Sequence, residues 1–367
     1  MSSVVLPPAK LPAAPPAVSD EDAERPRSLR SRTVDDILSV VGSALGALGL
    51  IWILYFKLLP LSGILGFIIC WYAAFLAIFA AVNSLSHPRP VVVARVMAAA
   101  VTGAAVVVGL SLATVVVYTV ARGMKALTHV NFFTQDGVAP RAPLSEGGIR
   151  HAIVGSLIQL GIAVAVSLPL GLVTAIFMTE VGGGFAKVVR TVIEAMTAIP
   201  DLLAGLFVYV TLIVGLGMEK NGLAAAIAIS VTMVPIIARS AEVALRVVPG
   251  GLREAGLALG ASHWKTVRRV VLPTARPGLA TALILAMARG IGETAPLLIV
   301  SGASIFFNSN PVKEPMNALP LYIYFGIRDP NATAVQRGFG AAVVLLAIVL
   351  VFFVITRFLA RQRVGRS

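Results

Sequence analysis

Residues 97–120 read MAAAVTGAAVVVGLSLATVVVYTV, 24 residues without a single charge. As an α-helix rising about 1.5 Å per residue, such a run is about 36 Å long. A bilayer's hydrocarbon core is about 30 Å thick, so the segment is long enough to cross it. Two further runs, 40–56 and 64–82, have the same character. A backbone surrounded by lipid must satisfy its own hydrogen bonds, which makes each span a helix. A lipid-facing β-barrel would alternate polar and apolar residues, and these runs do not. Across the chain's 367 residues, 57% are hydrophobic and 13% charged. That is about half the charge of a soluble domain, too little to cover a surface in water. The composition therefore points to an all-α integral membrane protein.

The net charge is +13. The basic residues lie mainly between the apolar runs, without an aromatic-rich basic module, so membrane topology explains them better than nucleic acid does. Membrane lipid is the expected surrounding. Cys70 is the one cysteine and sits within an apolar run, which makes it a packing residue. Residues 1–33 carry many prolines and charges but no apolar stretch of their own. They read as a disordered cytoplasmic arm and not as a cleavable leader.

Length and apolar content predict eight spans, at about 37–59, 64–82, 96–120, 153–178, 202–216, 223–238, 278–300 and 339–356. Pro60 and Gly63 predict a tight turn between the first two, and Pro169 a bend in the fourth. With the N-terminus inside, the internal loops hold Arg89 and Arg95; Lys187 and Arg190; Arg239, Arg246, Arg253, Lys265, Arg268, Arg269 and Arg276; and the basic tail from Arg357. The external loops hold fewer cations, partly offset by Asp136, Glu146, Glu314 and Asp329. The positive-inside bias favours this orientation, with both termini cytoplasmic. Asn331-Ala332-Thr333 matches a glycosylation acceptor, a motif short enough to arise by chance.

The segment between the sixth and seventh spans is the most informative. From Arg253 to Pro273 it reads REAGLALGASHWKTVRRVVLP. Pro249-Gly250 breaks the preceding chain, and residues 254–259 suit a short helix. Gly260 can end it with positive φ. Ser262 can cap a second short helix over 265–271, which Pro273 is expected to stop. Two short helices joined by a glycine can press into a partner's groove or lie on anionic lipid. The residues leave both open.

The segment resembles the cytoplasmic coupling loop of bacterial ABC-importer permeases. Glu254, Ala255, Gly260, Val270, Leu272 and Pro273 match that pattern in spacing, while Gly256 replaces its second alanine and is expected to loosen the first helix. The resemblance implies docking to a separate ATPase. The sequence has no Gly-x-x-x-x-Gly-Lys-Ser/Thr phosphate loop of its own. ATP and magnesium are thus implied on that partner, with no cofactor, metal or catalytic residue in this chain.

The seventh span contains ARGIGETAPLL, residues 288–298. Arg289 and Glu293 are four residues apart and share a helix face. An ionisable side chain in hydrocarbon costs about 2.5–3.5 kcal/mol or more, so the two must pair, face water, or both. Gly290 and Gly292 remove bulk beside them, and Pro296 is expected to bend or break the helix just after them. An anion path and a structural ion pair are both compatible with this pattern. The Arg-x-x-Gly-Glu-Thr run and its continuation from Gly292 to Leu298 resemble permeases of the high-affinity phosphate importer, of the PstA type. The likeness covers about residues 96–361. It implies phosphate passing Arg289, Glu293 and Thr294, a PstC-like second permease, two copies of an ATPase subunit and an extracytoplasmic phosphate-binding protein, all at the bacterial cytoplasmic membrane. The implied organisation is a six-span core at 96–361 with its coupling loop at 242–273, preceded by an extra two-span hairpin at 34–95 and followed by a tail at 362–367. A permease for another oxyanion or small solute and a sensor of phosphate status are the alternative readings.

Other residues carry less. Asp201, after Pro200, reads as a helix N-cap. Glu180 and Glu194 are expected to be solvated or paired with Lys187 and Arg190. The four histidines are scattered and do not suggest a metal site. Trp52, Trp71 and Tyr72 read as lipid-facing or interfacial anchors.

Overall fold

The structure is a computed structural model that describes residues 34–59 and 62–360. The N-terminal arm, Pro60 and the tail at 362–367 lie outside the described residues. Among the described residues there is no β-strand. The helices, in chain order, are α1 Val34–Ile53, α2 Ile64–Ser84, α3 Arg89–Leu127, α4 Asn131–Thr134, α5 Arg150–Ile176, α6 Gly183–Ala198 and α7 Asp201–Val208. There follow α8 Gly222–Arg246, α9 Gly250–Ala258, α10 His263–Thr266, α11 Leu272–Gly292, α12 Ala295–Val300, α13 Leu319–Arg328 and α14 Ala332–Ala360. Short π-helical turns extend α1, α5, α7 and α10.

Seven helices among the described residues are long and apolar enough to cross a membrane. The count is eight if the pair α6 and α7 with its π-turn, bent by 100°, forms one broken span. The expected fifth span is thus only the second arm of that pair, and its first arm occupies what the sequence suggested was loop. The expected seventh span begins earlier, at His263, and ends earlier, at Gly292. α13 occupies part of what was expected to be an external loop. α5 runs through Pro169 as a single helix.

The chain divides into two compact units at Ser111/Leu112. The boundary expected between residues 95 and 96 therefore falls inside α3, which runs unbroken for 39 residues. In the first unit, α1 and α2 form a hairpin. The Trp71 indole donates to the Ala44 carbonyl at 3.1 Å and the Tyr72 hydroxyl to that of Ala99 at 3.1 Å. These two rings join helices, whereas Trp52 is 54% exposed and lies beside Phe56 and Phe67. Arg95 pairs with Asp36 at 2.8 Å.

The second unit is built around α8, the most enclosed of the long helices: 61% of its most apolar window is buried, against 17% in α14. Its buried face carries Ala224, Ala225, Ala228, Ile229, Met233 and Ile237, which pack with Leu160 and Ala163 of α5 and Ala286 of α11. Small residues bring the helix backbones close. A Cβ on Gly171 would lie 2.7 Å from that of Ile237. Outside this bundle, Ser156 and Gln159 of α5 hold the segment leading to α13. The Ser156 hydroxyl accepts from the Leu319 N–H at 2.7 Å, and the Gln159 amide donates to Ser301 Oγ at 3.0 Å and to the Met316 carbonyl at 2.9 Å.

Candidate functional site

Two helix breaks meet in the second unit, and each follows from a proline. Pro296 disfavours continuing α11, because its ring crowds the carbonyl four residues back, at Gly292, and it has no N–H to donate. α11 ends at Gly292, Glu293 takes an extended conformation, and α12 restarts with Pro296 in its first turn. The break thus comes at Glu293, not after it as the sequence suggested. Pro200 acts in the same way. The residue before a proline avoids the α region. Ile199 is extended, α6 has ended at Ala198, and α7 begins at Asp201. The restarted helices lie against one another: a Cβ on Gly205 of α7 would come within 2.5 Å of the Pro296 Cα.

This geometry brings together three charged side chains. Arg289 Nε donates to Glu293 Oε1 at 3.2 Å, the pair expected from their spacing. Arg289 Nη2 donates to Asp201 Oδ2 at 2.8 Å. Asp201 is therefore no cap: Pro200 occupies the N-cap position, and the carboxylate engages the guanidinium. The Glu293 side chain is 10% exposed and that of Arg289 53%. Thr294 follows at the break, its hydroxyl 3.4 Å from the Gly292 carbonyl. Gly290 allows the close approach expected of it, since a Cβ there would lie 2.7 Å from Met233 Sδ. Gly292 faces open space within this chain.

The loop after α8 forms much as the sequence suggested. α9 contains Glu254 and Ala255, Gly260 has φ +78°, and Ser262 Oγ accepts from the Lys265 N–H at 3.3 Å. Leu259 and Trp264 are exposed. Two expectations fail. Gly256 does not loosen α9: a Cβ there would lie 2.9 Å from Thr266 Cγ2, so the bare glycine lets α9 close onto buried Thr266 of α10. Nor does Pro273 stop the second short helix. After α10 a π-turn, Val267–Val271, runs directly into α11, with the Leu272 N–H bonded back to the Val267 carbonyl. Pro273 then falls in the first turn of regular helix, where a missing N–H costs little. From His263 onward, the second half of the loop and the helix carrying Arg289 form one continuous helix, His263–Gly292.

The match to known families runs through these same elements. Residues 167–364 match the family described as "Binding-protein-dependent transport system inner membrane component". The "Phosphate transport system permease protein PstA 1" of Mycobacterium tuberculosis is 38% identical over 233 residues, covering 63% of this chain and 76% of its own. The chain belongs to this family, as a PstA-type permease. The PstA of Haemophilus influenzae is 32% identical over 240 residues, covering 65% of this chain and 83% of its own. A probable PstA of Methanocaldococcus jannaschii is 35% identical over 217 residues, covering 59% and 76%. Among solved structures, an inward-facing MetNI methionine transporter aligns with a TM-score of 0.46 at 24% identity, over 58% of this chain and 93% of its own. The family match and the apolar helices make the permease a multi-pass membrane protein of a multi-subunit transporter.

Four further ion pairs in the permease were not foreseen. Glu180 is buried and pairs with Arg253 at 2.9 Å, and Glu194, half-exposed to solvent as expected, pairs with Arg239 at 2.8 Å, so neither pairs with Lys187 or Arg190. Arg190 instead meets Glu242 at 2.7 Å, and Arg246 reaches the same carboxylate oxygen at 2.7 Å. Glu242 is buried, so two guanidiniums converge on one enclosed acceptor. Arg253 also donates to the Val248 carbonyl at 2.7 Å and the Leu245 carbonyl at 3.0 Å. His263 Nε2 donates to the Glu180 carbonyl at 3.1 Å. The loop is thereby tied to the π-turn Phe177–Val181 that ends the α5 span.

Proposed function

We propose that this permease subunit carries inorganic phosphate through the membrane in an ATP-driven importer, with Arg289 as the contact for the anion and Glu293 and Thr294 beside it. The observation that carries the reading is the Arg289 guanidinium: it is 53% exposed although it sits on a membrane-length apolar helix. A cation facing hydrocarbon is costly, so that face belongs to a wetted path or to a protein partner. The guanidinium has five N–H donors in a planar fork that suits phosphate oxygens. Only Nε and Nη2 hold the two carboxylates, so donors remain for the anion. The relatives named as phosphate transport permeases support the choice of anion.

In this reading the chain performs no covalent chemistry. A separate ATPase, in two copies, holds ATP and magnesium and receives the loop that contains Glu254, Ala255 and Gly260; Leu272 and Pro273 carry its motion into α11. Exposed Leu259 and Trp264 suit such a docking contact. A PstC-like permease completes the path, and an extracytoplasmic binding protein delivers phosphate, in keeping with the family's description. Both termini lie in the cytoplasm, on the side of the more basic loops. Radiolabelled phosphate uptake by cells carrying Arg289→Gln tests the reading. Uptake is expected to vanish while the complex still assembles, and uptake at the normal rate would remove Arg289 from the path.

A further inference from the structure

We infer that Asp201 is a gate: its carboxylate holds Arg289 Nη2 and offsets the positive charge that the anion needs, and phosphate advances only when Asp201 withdraws. The inference rests on the reading of Arg289 as the anion contact and adds a residue that the sequence pattern of the seventh span does not contain.

Charge is the first argument. The cluster holds one guanidinium and two carboxylates, at 2.8 Å and 3.2 Å. With all three ionised it carries one net negative charge, so an arriving phosphate is repelled. When one carboxylate leaves, the net repulsion is gone and guanidinium donors are freed for the anion. Glu293 is the more enclosed of the two, at 10% exposure against 30% for Asp201. Glu293 also shares its chain segment with Arg289, only four residues away. Asp201 comes from a different part of the chain and can depart without unfolding α11.

The elements around Asp201 supply a route for that departure. It stands immediately after the Ile199–Pro200 corner, at the end of α6. The other end of α6 begins at Gly182 and Gly183, with φ of +67° and +83° and open space where their side chains would be. α6 is therefore a rigid rod between two breaks. Just before the glycine pair lies Glu180, held by Arg253 of the docking helix α9. Along its length, Arg190 and Glu194 tie the rod to Glu242 and Arg239 of α8. A shift of α9 against the bundle pulls on the base of this rod and is delivered at its tip, where Asp201 sits. Opening is thus linked to the loop that the ATPase would grip, without any contact between that loop and the anion.

The test uses the complete importer in right-side-out membrane vesicles loaded with radiolabelled phosphate and depleted of ATP. Wild type is expected to retain the label. Asp201→Asn removes the competing charge and is expected to release it on the order of tenfold faster, the scale of losing one charge-assisted hydrogen bond. Asp201→Glu restores the charge and should retain the label. The double variant D201N/R289Q should also retain it, because the anion has lost its foothold. Retention by Asp201→Asn overturns the gate, as does an equal leak in the double variant. If Asp201→Asn fails to assemble, Asp201→Ser takes its place; failure of both makes Asp201 a structural anchor and overturns the gate as well. If Arg289→Gln alone transports normally, the anion contact itself is wrong. A dead Arg289→Gln beside a tight Asp201→Asn refutes only the gate.

Discussion

Arg253 Nη2 meets Glu180 Oε1 at 2.9 Å, across 73 residues of sequence, and ties α9 to the end of the α5 span. The Glu180 side chain is 3% exposed, so Arg253 takes the place of water at its carboxylate. Losing one member of a buried pair costs about 3–5 kcal/mol. Arg253 is 25% exposed and water can reach in when it is lost, so about 1–3 kcal/mol is the better expectation here.

Arg253→Ala should therefore leave a complex that assembles but transmits poorly. Its ATPase activity should persist while phosphate uptake falls by tenfold or more, on the order of the coupling energies of allosteric links. Measuring both activities on one reconstituted preparation separates this from simple misfolding. A variant that keeps the wild-type ratio of uptake to ATP hydrolysis would show that the pair is not the link.

Gly256 gives a prediction in which two effects oppose. Alanine in place of glycine in a helix gains about 0.5–1 kcal/mol from the unfolded chain. Against that, its Cβ would sit 2.9 Å from Thr266 Cγ2 and 3.0 Å from Oγ1, on a β-branched side chain that is buried and cannot easily turn away. Gly256→Ala should change stability by less than about 1 kcal/mol, because the terms nearly cancel. Gly256→Val keeps the clash and adds bulk, so it should separate α9 from α10 and abolish capture of the ATPase in pull-downs. Full capture by the valine variant would mean that the two short helices need not be closed.

What could be read from the sequence follows from the range of the interaction. The spans were legible because hydrophobicity over about 20 residues is a local property. The Arg289–Glu293 pair was legible because a spacing of four decides a helix face. Gly260 and the Ser262 cap were legible because turn and cap chemistry lies within three or four residues. Asp201 was misread because its partner is 88 residues away, and a carboxylate after proline looks like a cap. α6 was missed because Lys187, Arg190 and Glu194 break up its hydropathy; the partners of Arg190 and Glu194 on α8 appear only in three dimensions. The π-turn that carries the chain past Pro273 leaves no sequence signature of its own, so a proline was read as a stop.

Glu242 anchors the middle of α6. Its Oε1 accepts from Arg190 Nε at 2.9 Å, from Arg190 Nη2 at 2.7 Å and from Arg246 Nη2 at 2.7 Å. Arg246 is 59% exposed and loses little if the partner is neutral, whereas Arg190 at 27% exposure is left with a costly charge. Glu242→Gln keeps the shape and removes the charge. It should lower stability by about 1–3 kcal/mol, measured as a lower melting temperature of the detergent-solubilised complex. The doubly neutral Arg190→Gln/Glu242→Gln should recover part of that loss, because it leaves no unpaired charge at 190. A double variant less stable than the sum of the singles would contradict this account.

Arg289→Lys tests whether charge alone suffices at the helix break. The guanidinium addresses Asp201 and Glu293 through different nitrogens, Nη2 and Nε, in one plane. Lysine supplies the same charge from a single nitrogen on a flexible stem and cannot reproduce that fork. If a positive charge were the whole requirement, Arg289→Lys would transport nearly as well as wild type. If the fork positions the anion beside Glu293 while Asp201 is released, uptake should fall at least about tenfold, the worth of one well-made charge-assisted hydrogen bond. Uptake rates measured at matched complex abundance decide between the two, and near-normal transport by the lysine variant would reduce Arg289 to a source of positive potential.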